Sequence, residues 1–147
     1  MRPARGRTNG CAESRQASDT LGCVSFDVFF QGFIAGEASE SGGAQMREVL
    51  MPYVVDENGS SLRVRIGDGE ASVYLDDAGM MANHVSGSDP WNLLVEGAQA
   101  ANWVIMPVGC PTCLTQPGQR EELPDDLPGD VVVIQTGADL QALIERS

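Results

Sequence analysis

The chain has 147 residues, nine basic against 21 acidic, for a formal charge of -12; hydrophobic residues make up 42% and aromatics 5%. That length holds one domain, and the apolar fraction is too high for wholesale disorder. No run of about 18 apolar residues is present to span a bilayer, and the charge repels nucleic-acid phosphates and anionic lipid.

Residues 1–23 differ from the rest. They hold four Arg (Arg2, Arg5, Arg7, Arg15) against Glu13 and Asp19, a net of +2, which leaves five Arg against 19 acids, or -14, on residues 24–147. Leu21 stands nearly alone as a large apolar side chain, so the segment has no face to bury and reads as a disordered extension. An untranslated one is the sharper reading, with initiation at Val24. The basic start is not followed by an apolar stretch, which argues against a secretory signal and for a cytoplasmic protein.

From Val24 the pattern becomes that of a folded domain. Val24 to Phe30 is β-branched and aromatic and reads as a first strand. Gln45 to Met51 reads as a short helix stopped by Pro52. Leu62-Arg63-Val64-Arg65-Ile66 alternates apolar with charged, and Ala71 to Leu75 returns across an Asp68-Gly69 turn. Met80 to Val85 makes a third strand of the meander. Ser88-Asp89-Pro90 is a helix start, with Trp91, Leu94, Val95, Ala98 and Ala101 on one stripe. Trp103 to Val108 reads as a buried strand with Pro107 at an edge or an end. Residues 109–130 read as an irregular acidic excursion. Val131 to Ile134 is apolar throughout, which predicts a central or doubly covered strand. Thr136 and Asp139 form a capping box for a last helix through Leu140, Leu143 and Ile144. The sum is an α+β domain over residues 24–147: a single mixed sheet of five to six strands with two to three helices packed on it.

Cys110-Pro111-Thr112-Cys113 is the one chemically suggestive motif. A C-x-x-C after a strand is where thiol oxidoreductases keep a redox pair, but the mechanism needs a helix starting at the first Cys, and Pro117-Gly118 follow too closely for one. The bland alternative is a turn with two small, half-buried thiols. Cys11 and Cys23 are spaced too widely for a zinc knuckle, and His84 is the sole imidazole, so no metal is expected. His84 near Ser86 and Ser88 lacks the sharp nucleophile turn of a hydrolase and reads as a polar residue closing a strand. The acidic pairs Asp56-Glu57, Asp76-Asp77, Glu121-Glu122 and Asp125-Asp126 match no EF-hand loop, and Gly67-Asp68-Gly69 is no phosphate loop. No cofactor is expected.

Ser25-Phe26-Asp27-Val28-Phe29-Phe30-Gln31 at the start, and Trp103 to Pro111 running into an acidic segment and the Val131 strand, together resemble a group of small, acidic, mostly uncharacterised actinobacterial proteins. The chain's lack of Lys is the mark of a GC-rich genome and agrees with that source. In size, acidity and layout the group is similar to immunity proteins that neutralise polymorphic toxins; the similarity is one of type and carries no functional residues. It implies a non-enzymatic binding protein whose partner is a basic protein. Under that reading the contact surface lies between Gln119 and Asp130, at Glu121, Glu122, Asp125, Asp126 and Asp130, with Pro124 and Pro128 stiffening it. The competing readings are a thiol-redox protein using Cys110 and Cys113, and a small housekeeping protein whose charge only maintains solubility.

Overall fold

The computed structural model describes residues 23–24, 27–125 and 130–145. The reading of the extension as disordered or untranslated lies outside the described residues up to position 22. The first described strand is β1 (Cys23–Val24), followed by β2 (Val28–Gln31) and the hairpin of β3 (Phe33–Ile34) and β4 (Glu37–Ala38). Helix α1 spans Gly43–Leu50, and a 3-10 turn over Met51–Tyr53 absorbs Pro52. A meander follows: β5 (Val54–Asn58), β6 (Ser61–Ile66), β7 (Gly69–Leu75) and β8 (Gly79–Asn83), then β9 (Val85–Ser86), which pairs with β1. Helix α2 covers Asp89–Ala101; after it come β10 (Val104–Pro107), β11 (Thr112–Leu114), a 3-10 turn over Pro117–Glu122, β12 (Val131–Val133) and α3 (Gly137–Glu145).

The main sheet has eight strands in the order β12-β11-β10-β2-β8-β7-β6-β5, all neighbours antiparallel except β11 with β12. The architecture is therefore α+β with three helices, and the expected five to six strands become eight. Two added strands have weak sequence signals. β5 is Val-Val followed by Asp-Glu-Asn, exposed along most of its length at an edge and bulged between Val54 and Asp56, as edge strands commonly are. β11 lies inside the stretch read as irregular. The strand Val131–Val133 is the opposite edge, not a central strand. Its three Val do alternate in role: Val132 packs against the core, and Val133 is 49% exposed.

The three helices cover one face of this sheet; on the other face Phe29 and Tyr74 are exposed, while Val104, Thr112 and Leu114 are buried. Val28 and Phe30, Leu62 and Val64, Ala71, Val73 and Leu75, Met80 and Ala82, Ile105 and Cys113 form a single buried cluster with the apolar stripes of the three helices. In α2 the predicted stripe is the buried one, with Trp91 1% and Leu94 0% exposed; burying one such Leu side chain is worth about 1.5–3 kcal/mol. Gly97 lets α1 approach α2 closely, because an added Cβ would run into the Met46 sulfur. Trp103, just past the Asn102 C-cap with its left-handed φ of 59°, buries its ring and donates its indole N–H to the Ser41 carbonyl at 2.9 Å.

The meander is fastened to α2 at one point. Ile66 pairs with Gly69, so the turn residues are Gly67 and Asp68, one position earlier than the Asp68-Gly69 pair the sequence suggests. Gly67 has φ +55° and lies so close to Asp89 that a Cβ would overlap its carboxylate. Ser88 makes no side-chain cap. Asp68 replaces it from the hairpin, accepting the Ser88 N–H at 3.0 Å and the Asp89 N–H at 2.9 Å, while its own N–H donates to Asp89 Oδ2 at 3.1 Å. The cap is thus supplied across the tertiary fold, which satisfies the otherwise orphaned N–H groups of the first helical turn. At α3 the Thr136–Asp139 capping box forms as the sequence indicates: the Asp139 N–H donates to Thr136 Oγ1 at 3.1 Å and the Thr136 N–H to Asp139 Oδ2 at 3.2 Å.

Both capping carboxylates titrate low. The Asp89 and Ser88 N–H groups hold Asp68 below the ordinary 3.8, and those of Gln135 and Thr136 do the same to Asp139. A carboxyl depressed in the folded state contributes stability above its unfolded pKa and loses it as pH falls through the folded value. Asp68→Ala is therefore expected to lower Tm by a few degrees at pH 7. The gap from the unaltered chain should narrow once the pH drops well below about 4. Thermal melts across that range check it, and a gap independent of pH would show that Asp68 acts without its charge.

Candidate functional site

The acidic stretch is held by one buried amide. Gln116 is extended, Pro117 presets the first 3-10 residue, and the Gln116 and Gln119 side chains cap one another's backbone. The Gln119 carboxamide, 5% exposed, reaches back into the domain. Its oxygen accepts the Thr115 and Gln116 N–H groups at 2.8 and 3.1 Å, and its nitrogen donates to Asn102 Oδ1 at 3.1 Å and the Trp103 carbonyl at 3.3 Å. Thr115 Oγ1 donates to that same carbonyl at 2.8 Å. One side chain so ties together the end of α2, the entry to β10 and the exit of β11. The Thr115 N–H, in a buried residue, would otherwise be a costly orphan.

Glu122 fixes the next position. Its carbonyl accepts the Gly36 N–H at 2.9 Å and its Oε1 the Ala35 N–H at 2.7 Å. Ala35 and Gly36 form the β3–β4 turn, with φ of 54° and 84°, and the two successive left-handed residues aim their N–H groups at one residue, Ala35 at the Glu122 carboxylate and Gly36 at its backbone carbonyl. Glu122 is accordingly half-buried and engaged, whereas Glu121 and Asp125 are exposed on either side of it. Asp130 is exposed at the start of β12, its carbonyl accepting the Thr112 N–H at 2.9 Å. Asp126 lies outside the described residues. The structure thus brings Glu121, Glu122 and Asp125 together on one clipped segment, with Asp130 at the neighbouring sheet edge. The acid run was visible in the sequence; Gln119 was not, because its partners Asn102 and Trp103 lie 17 and 16 positions away, past the end of α2.

The C-x-x-C pair is arranged otherwise than in a thiol oxidoreductase. It leads into a strand and not into a helix. Cys110 is disulfide-bonded and Cys113 is a free thiol, so the two are not joined to each other. Cys113 is completely buried in β11; desolvation pushes its thiol up to about 12, and its Sγ lies 3.6 Å from the Pro111 carbonyl. A redox nucleophile needs the opposite shift, toward a thiolate at neutral pH.

The remaining candidates serve the fold. His84 is exposed with φ 52° and turns the chain from β8 to β9. Ser86 Oγ accepts the Glu70 N–H at 3.2 Å. Asp76 Oδ1 closes its own turn by accepting the Ala78 and Gly79 N–H groups. Glu57 pairs with Arg47 at 3.4 Å. Among the described residues, no group of three or more His, Cys, Asp or Glu is placed to hold a metal ion, and no helix is long and apolar enough to cross a membrane.

No protein-family model, curated protein or solved structure matches the chain.

The burial of Cys113 has a direct chemical consequence. In the native protein at pH 7–8, a thiol reagent should leave Cys113 unlabelled until the chain unfolds. Replacing it by Ser, which places a hydroxyl in an apolar site, should cost about 1–3 kcal/mol. Mass-spectrometric mapping of the alkylated site reads the first and denaturant unfolding the second. Rapid native labelling at Cys113 would contradict the assignment.

Proposed function

We propose that this chain is a non-enzymatic binding protein that presents an acidic surface to a basic protein partner, in the manner of an inhibitor of a basic toxin. The supporting observation is the anchoring of the acidic segment by Gln119 and Glu122, which leaves Glu121 and Asp125 projecting from a backbone already fixed in place. A clipped segment loses little conformational freedom on binding, so more of the contact energy is realised as affinity. Charge on such a surface raises the association rate and rejects partners of the wrong sign, while affinity comes from apolar anchors nearby. Leu123 and Pro124, half-buried within the segment, are suited to that second part.

The cell that encodes the protein supplies the test. A basic protein should be captured by the tagged chain at low ionic strength. Association with it should slow several-fold when Glu121, Glu122, Asp125 and Asp126 are changed together to Gln and Asn, an effect that shrinks as salt screens the field. Glu122→Gln keeps the acceptor for Ala35, so the fold is preserved. Unchanged kinetics in the quadruple variant would move the binding surface elsewhere; capture of no basic protein would contradict the function itself.

A further inference from the structure

The two cysteines of the C-x-x-C motif are in different chemical states. Cys110 is disulfide-bonded, while Cys113 is a free thiol sealed in β11. The chain has four cysteines, so the partner of Cys110 is Cys11 or Cys23. Both belong to the basic stretch of residues 1–23, ahead of the part of the sequence patterned as a folded domain.

The turn that carries Cys110 stands where that stretch joins the domain. Gly109, with φ 81°, and the Cys110 N–H, donating to the Pro107 carbonyl at 3.1 Å, shape the β10–β11 turn. On the other side of β10, Pro107 pairs with Val28, and the Val108 N–H donates to the Asp27 carbonyl at 3.2 Å. From Asp27 the chain runs back four residues to Cys23, at most about 14 Å of extended backbone. Half-buried Cys110 packs against the core cluster at this point. Among the described residues, β1 meets β9 at two pairs, Cys23 with Ser86 and Val24 with Val85. Two residue pairs are too few to hold a ribbon by themselves. Charge favours the approach, since residues 1–23 carry +2 and residues 24–147 carry -14.

We infer that a disulfide from Cys110 to Cys11 or Cys23 clasps residues 1–23 to the β10–β11 turn, and that this clasp opens and closes with the redox state of its surroundings. The closing step balances with oxidised glutathione as the oxidant. The Cys110 thiolate attacks one glutathione sulfur and expels a glutathione thiolate. The N-terminal thiolate then attacks the Cys110 sulfur of the mixed disulfide and expels the second. Two cysteine thiols are oxidised, and one glutathione disulfide is reduced to two glutathione thiols. Cys113 does not open the clasp by attacking Cys110. Its thiol is buried and pushed up to about 12, so almost no thiolate exists at neutral pH. The clasp also excludes initiation at Val24, because a chain begun there keeps Cys110 and Cys113 but neither partner. It closes a loop of about 90 to 100 residues, a span over which a cross-link strongly restricts the unfolded chain.

The full chain, equilibrated with reduced and oxidised glutathione, is acid-quenched, alkylated and digested without reduction. Mass spectrometry should find the Cys110 peptide joined to the peptide of Cys11 or Cys23. Dithiothreitol should separate the two and lower Tm by at least about 5 °C. Cys110→Ser, and separately Cys11→Ser with Cys23→Ser, should each melt at one temperature with and without the reductant. Cys110 that stays free or bound to glutathione alone, even in excess oxidised glutathione, overturns the inference. So does Cys110 joined to Cys113 or to a second copy, or a Cys11→Ser, Cys23→Ser chain whose Tm still falls with the reductant.

Discussion

The constraint on which this structure depends is the burial of one face of a wide, almost wholly antiparallel sheet by its helices. Three helices occupy one face and take every inward apolar residue of the central strands into one cluster. Helix α2 is the keystone of that layer. It contributes Trp91, Leu94 and Ala98 to the cluster, rests on α1 through Gly97, and carries Asn92, whose Oδ1 accepts the Gly137 N–H at the start of α3. Because the helical layer is anchored through α2, and α2 is capped by a carboxylate from the β6–β7 turn, packing and capping lock the same parts of the chain together.

Two kinds of surface result. One is the segment from Pro117 to Asp125, which has almost no apolar burial of its own and is held by hydrogen bonds from Gln119 and Glu122 to distant backbone groups. There the sequence spends polar side chains on anchoring and leaves Glu121 and Asp125 facing solvent. The other is the outer sheet face, where Met106, Phe29, Met81 and Tyr74 line up in register.

Much of the helical side of the fold was legible because its signals are local. The alternation at Leu62–Ile66, the stripe from Trp91 to Ala101 and the Thr136–Asp139 box each fit within one element, and each has the structure the pattern implies. What escaped was long-range. β11 is three residues beside a Pro, and the meaning of Cys113 depends on Ile105, its partner across the ladder. β5 is polar because it is an edge. Val131–Val133 looks central in sequence because three consecutive Val hide which one faces out. The outer row was illegible altogether: Phe29, Met81, Tyr74 and Met106 come from four strands up to 77 positions apart, and only their register aligns them.

The central claim, that the helices bury one sheet face while the row through Phe29, Met81 and Tyr74 on the other stays accessible, is tested most directly by methionine oxidation followed residue by residue in dilute native protein. Met80 and Met81 are adjacent in β8 yet point to opposite faces; Met80 is 5% exposed in the core, and Met81 lies on the outer row. The account predicts that Met81 and Met106 are oxidised much faster than Met46 and Met80, with exposed Met51 as the fast reference. Equal rates at Met80 and Met81, or a faster Met80, would contradict it.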